Sequence, residues 1–250
     1  MRSMNDVNRS AARLRVPGLF FTGTDTGVGK TFVTAAVARK LRAEGRSVHV
    51  CKPVATGANG QRFSDDTARL AEAAGVPTER WPQVTPWTFA DAVAPSVAAR
   101  RRGVSLTLAE LVDAVRVQAE PSSALLVEGV GGLLCPLTQT ETVADLIATL
   151  GMSMVIVARR SLGTLNHTLL TLEVARRRKL SVAGIIVNET TLPAGLAEET
   201  NVEELGRWID VPLLAVVSYQ QGQMPEMPAA LARVDWWQLS TSMPAERGSS

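Results

Sequence analysis

The sequence predicts an α/β domain with a mainly parallel central sheet and helices on both faces. Three observations carry that expectation: short runs of Val, Ile, Leu and Phe recur along the chain, they are continuous rather than alternating, and segments of helical period separate them. Continuous apolar runs are the signature of strands buried on both faces of a sheet. Strand and helix in alternation make βαβ units, whose right-handed crossovers lay helices over the sheet. With 250 residues, 46% hydrophobic and 20% charged, the chain has the apolar content for one sizeable core.

Taken in order, residues 1–17 are polar and Arg-bearing without sustained period and end at Pro17-Gly18, so a loose tail is expected before a single domain over 18–250. Strands are predicted at 19–22, 47–51, 124–127, 154–158, 182–187 and 213–217. Helices are predicted at 31–44, 65–74, 107–119, 143–150, 165–179 and 198–209. The first has Phe32, Val33, Ala36, Val37 and Leu41 on one side and charged residues elsewhere, and Gly45 stops it. The segment from Ala229, with Trp236-Trp237, reads as a final helix lying on the surface.

Composition narrows the function. Twenty-six basic residues against 24 acidic give a net charge of +2, and the one short basic run, 176–179, asks for neither nucleic acid nor an anionic membrane. No stretch approaches the roughly 18 apolar residues of a membrane span, and the first 17 residues lack the apolar region of a secretory signal. A cytoplasmic protein acting on small molecules is expected. Cys51 and Cys135 have neither CxxC spacing nor a histidine cluster nearby, so both are expected to be buried as small apolar residues.

Directly after the first predicted strand, residues 23–31 read GTDTGVGKT, a full GxxxxGK[ST] match in the strand-loop-helix setting the motif requires. Its glycines let backbone N–H groups turn inward onto phosphate oxygens, and the following helix presents its positive end to them. Lys30 then reaches the β- and γ-phosphates, and the Thr31 hydroxyl can ligate Mg²⁺. The expected fold is therefore a three-layer, P-loop NTPase-like one.

Ligands of such sheets gather at the carboxyl ends of the strands. The predicted strand 124–127 runs into Glu128-Gly129-Val130-Gly131-Gly132, where a carboxylate can hold Mg²⁺ opposite Thr31 or simply cap a loop. Lys52, after the second strand, projects an ammonium toward the same edge, with the Thr56 hydroxyl nearby, though a surface lysine there is also ordinary. Asp65 and Asp66, in Ser64-Asp65-Asp66, serve equally as metal ligands or as helix-start residues. The stretch 161–168 opens a helix and offers free N–H groups; His167 within it reads as a packed or capping residue. Asn188, ending the fifth strand, has an amide suited to an adenine edge or to a turn.

In order along the chain, GTDTGVGKT, KPVATG, SDD, VEGVGG, SLGTLNHT and GIIVN resemble the dethiobiotin synthetase family, over residues 19–212. The resemblance implies a homodimeric P-loop ligase of late biotin synthesis that uses ATP and Mg²⁺. Its substrates would be 7,8-diaminononanoate and CO₂ or bicarbonate, joined through a carbamate and a carbamic-phosphoric anhydride into the ureido ring. It implies catalytic roles for Lys30 and Lys52, and Mg²⁺ on Thr31, Asp65 and Glu128. ATP contacts would come from Gly27, Val28, Gly29, Lys30, Thr31, Phe32, Asp65, Glu128, Gly129, Val130, Gly131, Asn188 and Glu189. Thr26, Thr56, Leu162, Gly163 and Asn166 would hold the diamine, the last three from the partner subunit.

The residue types meet that chemistry. Carbamate and γ-phosphate are both anions, so bringing them into line needs fixed positive charge, which two lysines supply. Two features depart from the family pattern: Gly27 stands where some members are acidic, and no proline follows the last strand. Purine contacts are therefore expected around Ser218, Tyr219 and Gln220, and at Glu226. A nucleotide switch of the partition or septum-positioning kind is the rival, but such proteins usually carry a lysine early in the P-loop, and 23–29 contain none. A cobyrinate-type amidotransferase would need a glutamine-hydrolysing domain for which this length has no room.

Overall fold

The strands form where β-branched and leucine residues are continuous. In chain order they are β1 (Gly18–Gly23), β2 (Val48–Cys51), the two-residue β3 (Val54–Ala55) and β4 (Trp87–Thr88), β5 (Ala124–Gly132), β6 (Ser153–Arg159), β7 (Val182–Asn188) and β8 (Leu213–Val217). These and all other elements come from a computed structural model that describes residues 14–192, 195–220 and 227–242. Six strands make one parallel sheet in the order β2-β5-β1-β6-β7-β8, and β3 pairs with β4 apart from it. The expected parallel sheet is thus observed, with β1 flanked by β5 and β6.

Successive strand residues face opposite sides of a sheet, and both sides are filled here. On one, Phe20, Leu125, Val127 and Ile156 pack beneath Leu111, Ile147, Leu172 and Leu205. On the other, Leu19, Phe21, Leu126 and Val157 pack beneath Val33, Val37, Leu41 and Leu70. The helices that carry these residues are α1 (Lys30–Ala43), α2 (Asp65–Ala74), α3 (Trp81–Val84), α4 (Pro95–Arg101), α5 (Leu108–Arg116), α6 (Val143–Leu150), α7 (Thr164–Arg177), α8 (Leu196–Trp208), α9 (Ala229–Ala232) and α10 (Trp236–Thr241). Capping boxes at Thr107/Glu110 and Thr142/Asp145 fix the starts of α5 and α6.

The structure corrects several sequence expectations. The helix predicted over 107–119 ends at Arg116, because the N–H groups of Gln118 and Ala119 bond three residues back, to Val115 and Arg116, and tighten the turn. The strand predicted to stop at 127 runs on to Gly132, so Glu128 lies within β5, paired with Phe21. The expected loose tail ends earlier than Pro17: Leu14 and Val16 pack on the core, and the Leu14 N–H donates to the Leu150 carbonyl at 3.0 Å. Residues 1–13 lie outside the described residues. Cys51 is buried, and burial pushes its thiol up to about 12, but Cys135 is only half-buried.

Trp236 is not a surface residue. It is 0% exposed, its ring centroid lies 6.3 Å from that of Phe21 under β1, and its indole N–H donates to the Leu231 carbonyl at 2.9 Å. Trp237 is half-buried beneath the Arg46 guanidinium, 4.1 Å from its ring. Truncating a buried Trp leaves a large void, so Trp236→Ala is expected to cost about 3–5 kcal/mol in denaturant unfolding. Trp237→Ala is expected to cost about 1 kcal/mol. Equal losses would contradict this division between core and surface.

Candidate active site

The loop between β1 and α1 is built to receive an anion. Gly29 caps α1 in the left-handed region at φ 94°, with no side chain satisfying the first N–H groups of the helix and no acidic residue in its first turn. A Cβ at Gly29 would collide with Asn188 Nδ2, so backbone conformation and space both require glycine. Lys30 is 7% exposed, and its Nζ donates to the Asp25 carbonyl at 3.0 Å, folded back over its own loop. Burial holds this ammonium below its ordinary value, with the neighbouring Lys52 adding to the effect.

Beside the loop, four side chains from four segments converge. Glu128, on β5 and 1% exposed, accepts through Oε1 from the Thr31 hydroxyl at 2.8 Å and from Lys52 Nζ at 2.6 Å. Lys52 Nζ also donates to Asp66 Oδ2 at 2.5 Å, and Thr31 hydrogen-bonds Asp66 as well. Burial alone would lower Lys52, but the carboxylates of Glu128 and Asp66 hold its ammonium above the ordinary value. Burial alone would raise Asp66, but Lys52 outweighs it and keeps the carboxyl low. The open readings of Lys52 and Glu128 thus close in favour of a buried charge cluster at the sheet edge.

Asp66, not the expected Asp65, is the SDD carboxylate brought to Lys52 and Thr31. Asp65 is exposed at the rim and lines a cleft of about 210 Å³ with Thr56, Gly57, Ser64 and Asp66. Glu128 Oε2 is buried without a partner. Two carboxylates and a hydroxyl, with one carboxylate oxygen unspent, suit a hard cation that keeps several waters and binds phosphate, as Mg²⁺ does. Among the described residues no three His, Cys, Asp or Glu side chains cluster as a metal cage, which also fits a cation shared with phosphate.

The remaining expected residues divide. Val28 is buried in the core and Phe32 packs on it, so both can serve a ligand only through the backbone. Gly129 is buried, with no room for a Cβ beside the Phe20 ring, while Val130 and Gly131 stay half-buried at the edge. Leu162, Gly163 and Asn166 are exposed where α7 begins, apart from the Lys52 cluster. A cleft of about 400 Å³, lined by Thr24, Asp25, Cys135, His167 and Leu170, runs between the P-loop and α7. Asn188, expected at a purine edge, is 4% exposed and donates its amide N–H to the Val28 carbonyl at 3.0 Å. Glu189 pairs with Arg160 at 2.5 Å and accepts the Tyr219 N–H at 2.9 Å, which fixes the turn of Ser218, Tyr219 and Gln220. Glu226 lies outside the described residues.

Sequence reasoning missed Arg159. Its Nη2 donates to the Thr26 carbonyl at 3.0 Å, and the available signal was a pair of arginines directly after an apolar strand.

Comparison with known proteins agrees with this site. A family model described as an AAA domain matches residues 17–227. The ATP-dependent dethiobiotin synthetase BioD of Anaeromyxobacter dehalogenans (strain 2CP-C) is 44% identical over 203 residues, covering 81% of this chain and 90% of that protein. The chain belongs to the dethiobiotin synthetase family. The Bacillus licheniformis dethiobiotin synthetase is 38% identical over 209 residues, covering 83% of this chain and 88% of its own length. A chain of the MinC:MinD cell division complex of Aquifex aeolicus, at 14% identity and a TM-score of 0.50 over 82% of each chain, shares the fold alone. Membership of the dethiobiotin synthetase family therefore sets aside the nucleotide-switch reading. Among the described residues no helix is long and apolar enough to cross a membrane.

The Lys52–Asp66 pair gives this family member a pH signature. Asp66 is lowered from 3.8, so its contribution is fully present above that value and is lost as pH falls through the lower folded value. Lys52 is raised from 10.5, so its contribution is present below that value and is lost only as pH rises through the higher folded one. The stability gap between wild type and Asp66→Asn is expected to stay constant from about pH 5 to 9 and to close on further acidification. A gap that widens in acid would contradict the pairing.

Proposed function

We propose that this chain closes the ureido ring of dethiobiotin from 7,8-diaminononanoate, CO₂ and ATP. The observation that carries the reading is Lys52, held by Glu128 and Asp66 beside the helix that begins the P-loop. An ATP site that also keeps a buried second lysine has the charge to bring another anion against the γ-phosphate.

One amine of the diamine adds to CO₂, forming a carbamate and releasing a proton. A carbamate oxygen then attacks the γ-phosphorus; the new O–P bond forms as the bond to the ADP oxygen breaks. The second amine attacks the carbonyl carbon, the ring closes, and phosphate leaves with its oxygen as that amine gives up a proton. Lys30 leaves the Asp25 carbonyl to follow the β- and γ-phosphates, and Lys52 faces the carbamate and the transferring phosphoryl group. Backbone N–H groups of Gly27, Val28, Gly29 and Lys30 hold the phosphates in line.

Thr31, Glu128 and Asp66 would hold Mg²⁺, with Asp65 on the rim beside them; when bound, the cation supplies further neutralisation of the phosphate charge. Thr26 and Thr56 would contact the diamine. The turn Ser218-Tyr219-Gln220 would meet the purine, supported by the Gln220 side-chain oxygen, which is buried without a partner and suits an exocyclic amino group. A homodimer fits the exposed Leu134, Leu162 and Leu170 near the P-loop cleft, and Leu162, Gly163 and Asn166 of one subunit would then reach the distal carboxylate held by the other. The reaction would run in the cytoplasm.

With ATP, Mg²⁺, bicarbonate and 7,8-diaminononanoate, the purified protein is expected to release phosphate and form dethiobiotin. ATP hydrolysis indifferent to the diamine would overturn the reading. Lys52→Ala is expected to lower phosphate release by about a hundredfold or more while ADP affinity, which rests on the P-loop, changes little; a fully active variant would remove Lys52 from the chemistry.

A further inference from the structure

The phosphate-binding loop alternates in hand: Gly27 has φ 70° and Gly29 φ 94°. Alternation of this kind turns successive N–H groups toward one concave side and leaves the intervening carbonyls directed away from it. Those outward carbonyls, of Thr26 and Val28, each precede a left-handed glycine, and each is taken by a side chain from the neighbouring strands. Arg159 Nη2 donates to Thr26 and Asn188 Nδ2 to Val28, both at 3.0 Å. Arg159 and Asn188 are paired residues in the register of β6 and β7, so one rung of the sheet supplies both donors.

We propose that Arg159 and Asn188 are positioning residues that brace the P-loop from outside, holding its carbonyls outward so that its N–H groups stay aimed at the phosphates. The brace is preformed. Asn188 is buried, and its own carbonyl accepts the Arg160 N–H at 3.0 Å, so its backbone is fixed as well as its amide. Gly29 leaves no space for a Cβ against that amide, so loop and brace fit only with glycine there. An amide N–H spent on Val28 makes Asn188 a determinant of phosphate binding rather than a reader of the base.

The proposal rests on the P-loop as the nucleotide phosphate site, and its test measures binding rather than turnover. ADP and inorganic tripolyphosphate, each with Mg²⁺, are titrated into wild type, Asn188→Leu and Arg159→Met. Asn188→Leu keeps volume and neutrality but removes the donor. Loss of one buried hydrogen bond is expected to weaken ADP and the base-free tripolyphosphate by the same factor, about tenfold. Arg159→Met is expected to weaken both together as well, with unliganded thermal unfolding of each variant confirming that the fold is retained. A loss by Asn188→Leu confined to ADP would make Asn188 a base contact and overturn the brace; unchanged binding by both variants would overturn it too. Failure of wild type to bind either ligand would instead sink the nucleotide reading itself.

Discussion

Glu128 is a carboxylate placed inside a parallel sheet at its carboxyl edge, almost wholly removed from water. An isolated charge there would be costly, and the cost is offset only by good partners. Lys52 and Thr31 are those partners, and their positions follow from the strand order. β5 lies between β1, which feeds the P-loop helix carrying Thr31, and β2, which ends beside Lys52. A carboxylate on the middle strand can reach both neighbours; on β7 or β8 it could reach neither. The one oxygen that Glu128 keeps free, Oε2, is what remains for a cation.

The P-loop depends on the sheet in a second way. Its glycines give it the required conformation, but glycine also frees the chain to leave that conformation. Donors from β6 and β7 restrict it again, from the side away from the phosphate. Charge supplied from β2 and β5, and shape held from β6 and β7, therefore meet at β1. Trp236, packed under β1 through Phe21, extends the same support into the opposite layer.

The fold was legible because its signals are local and repeated. Each main-sheet strand is a continuous apolar run, and the glycine-rich loop announces the first βα turn by itself. Lys52 and Glu128 were legible as residues at strand ends, though only the strand order shows that they touch. Asp65 and Asp66 were not separable, since adjacent residues at a helix start differ only in the direction their side chains take around the helix. Asn188 was misread because an amide at a strand end suits a base as well as a loop carbonyl, and nothing local says that the P-loop lies within 3.0 Å. Trp236 was misread for a related reason: a short helix after a long polar gap carries no periodicity to mark its buried side. The small β3–β4 pair, two residues each, is too short to leave a pattern.

The central claim is that Glu128 organises Thr31, Lys52 and a divalent cation into one unit. It is tested most directly by the affinity of Glu128→Gln for ADP with and without Mg²⁺. The account predicts that wild type binds ADP more tightly with Mg²⁺, and that the variant keeps the metal-free affinity but loses the increment. An increment of the same size in the variant would contradict it.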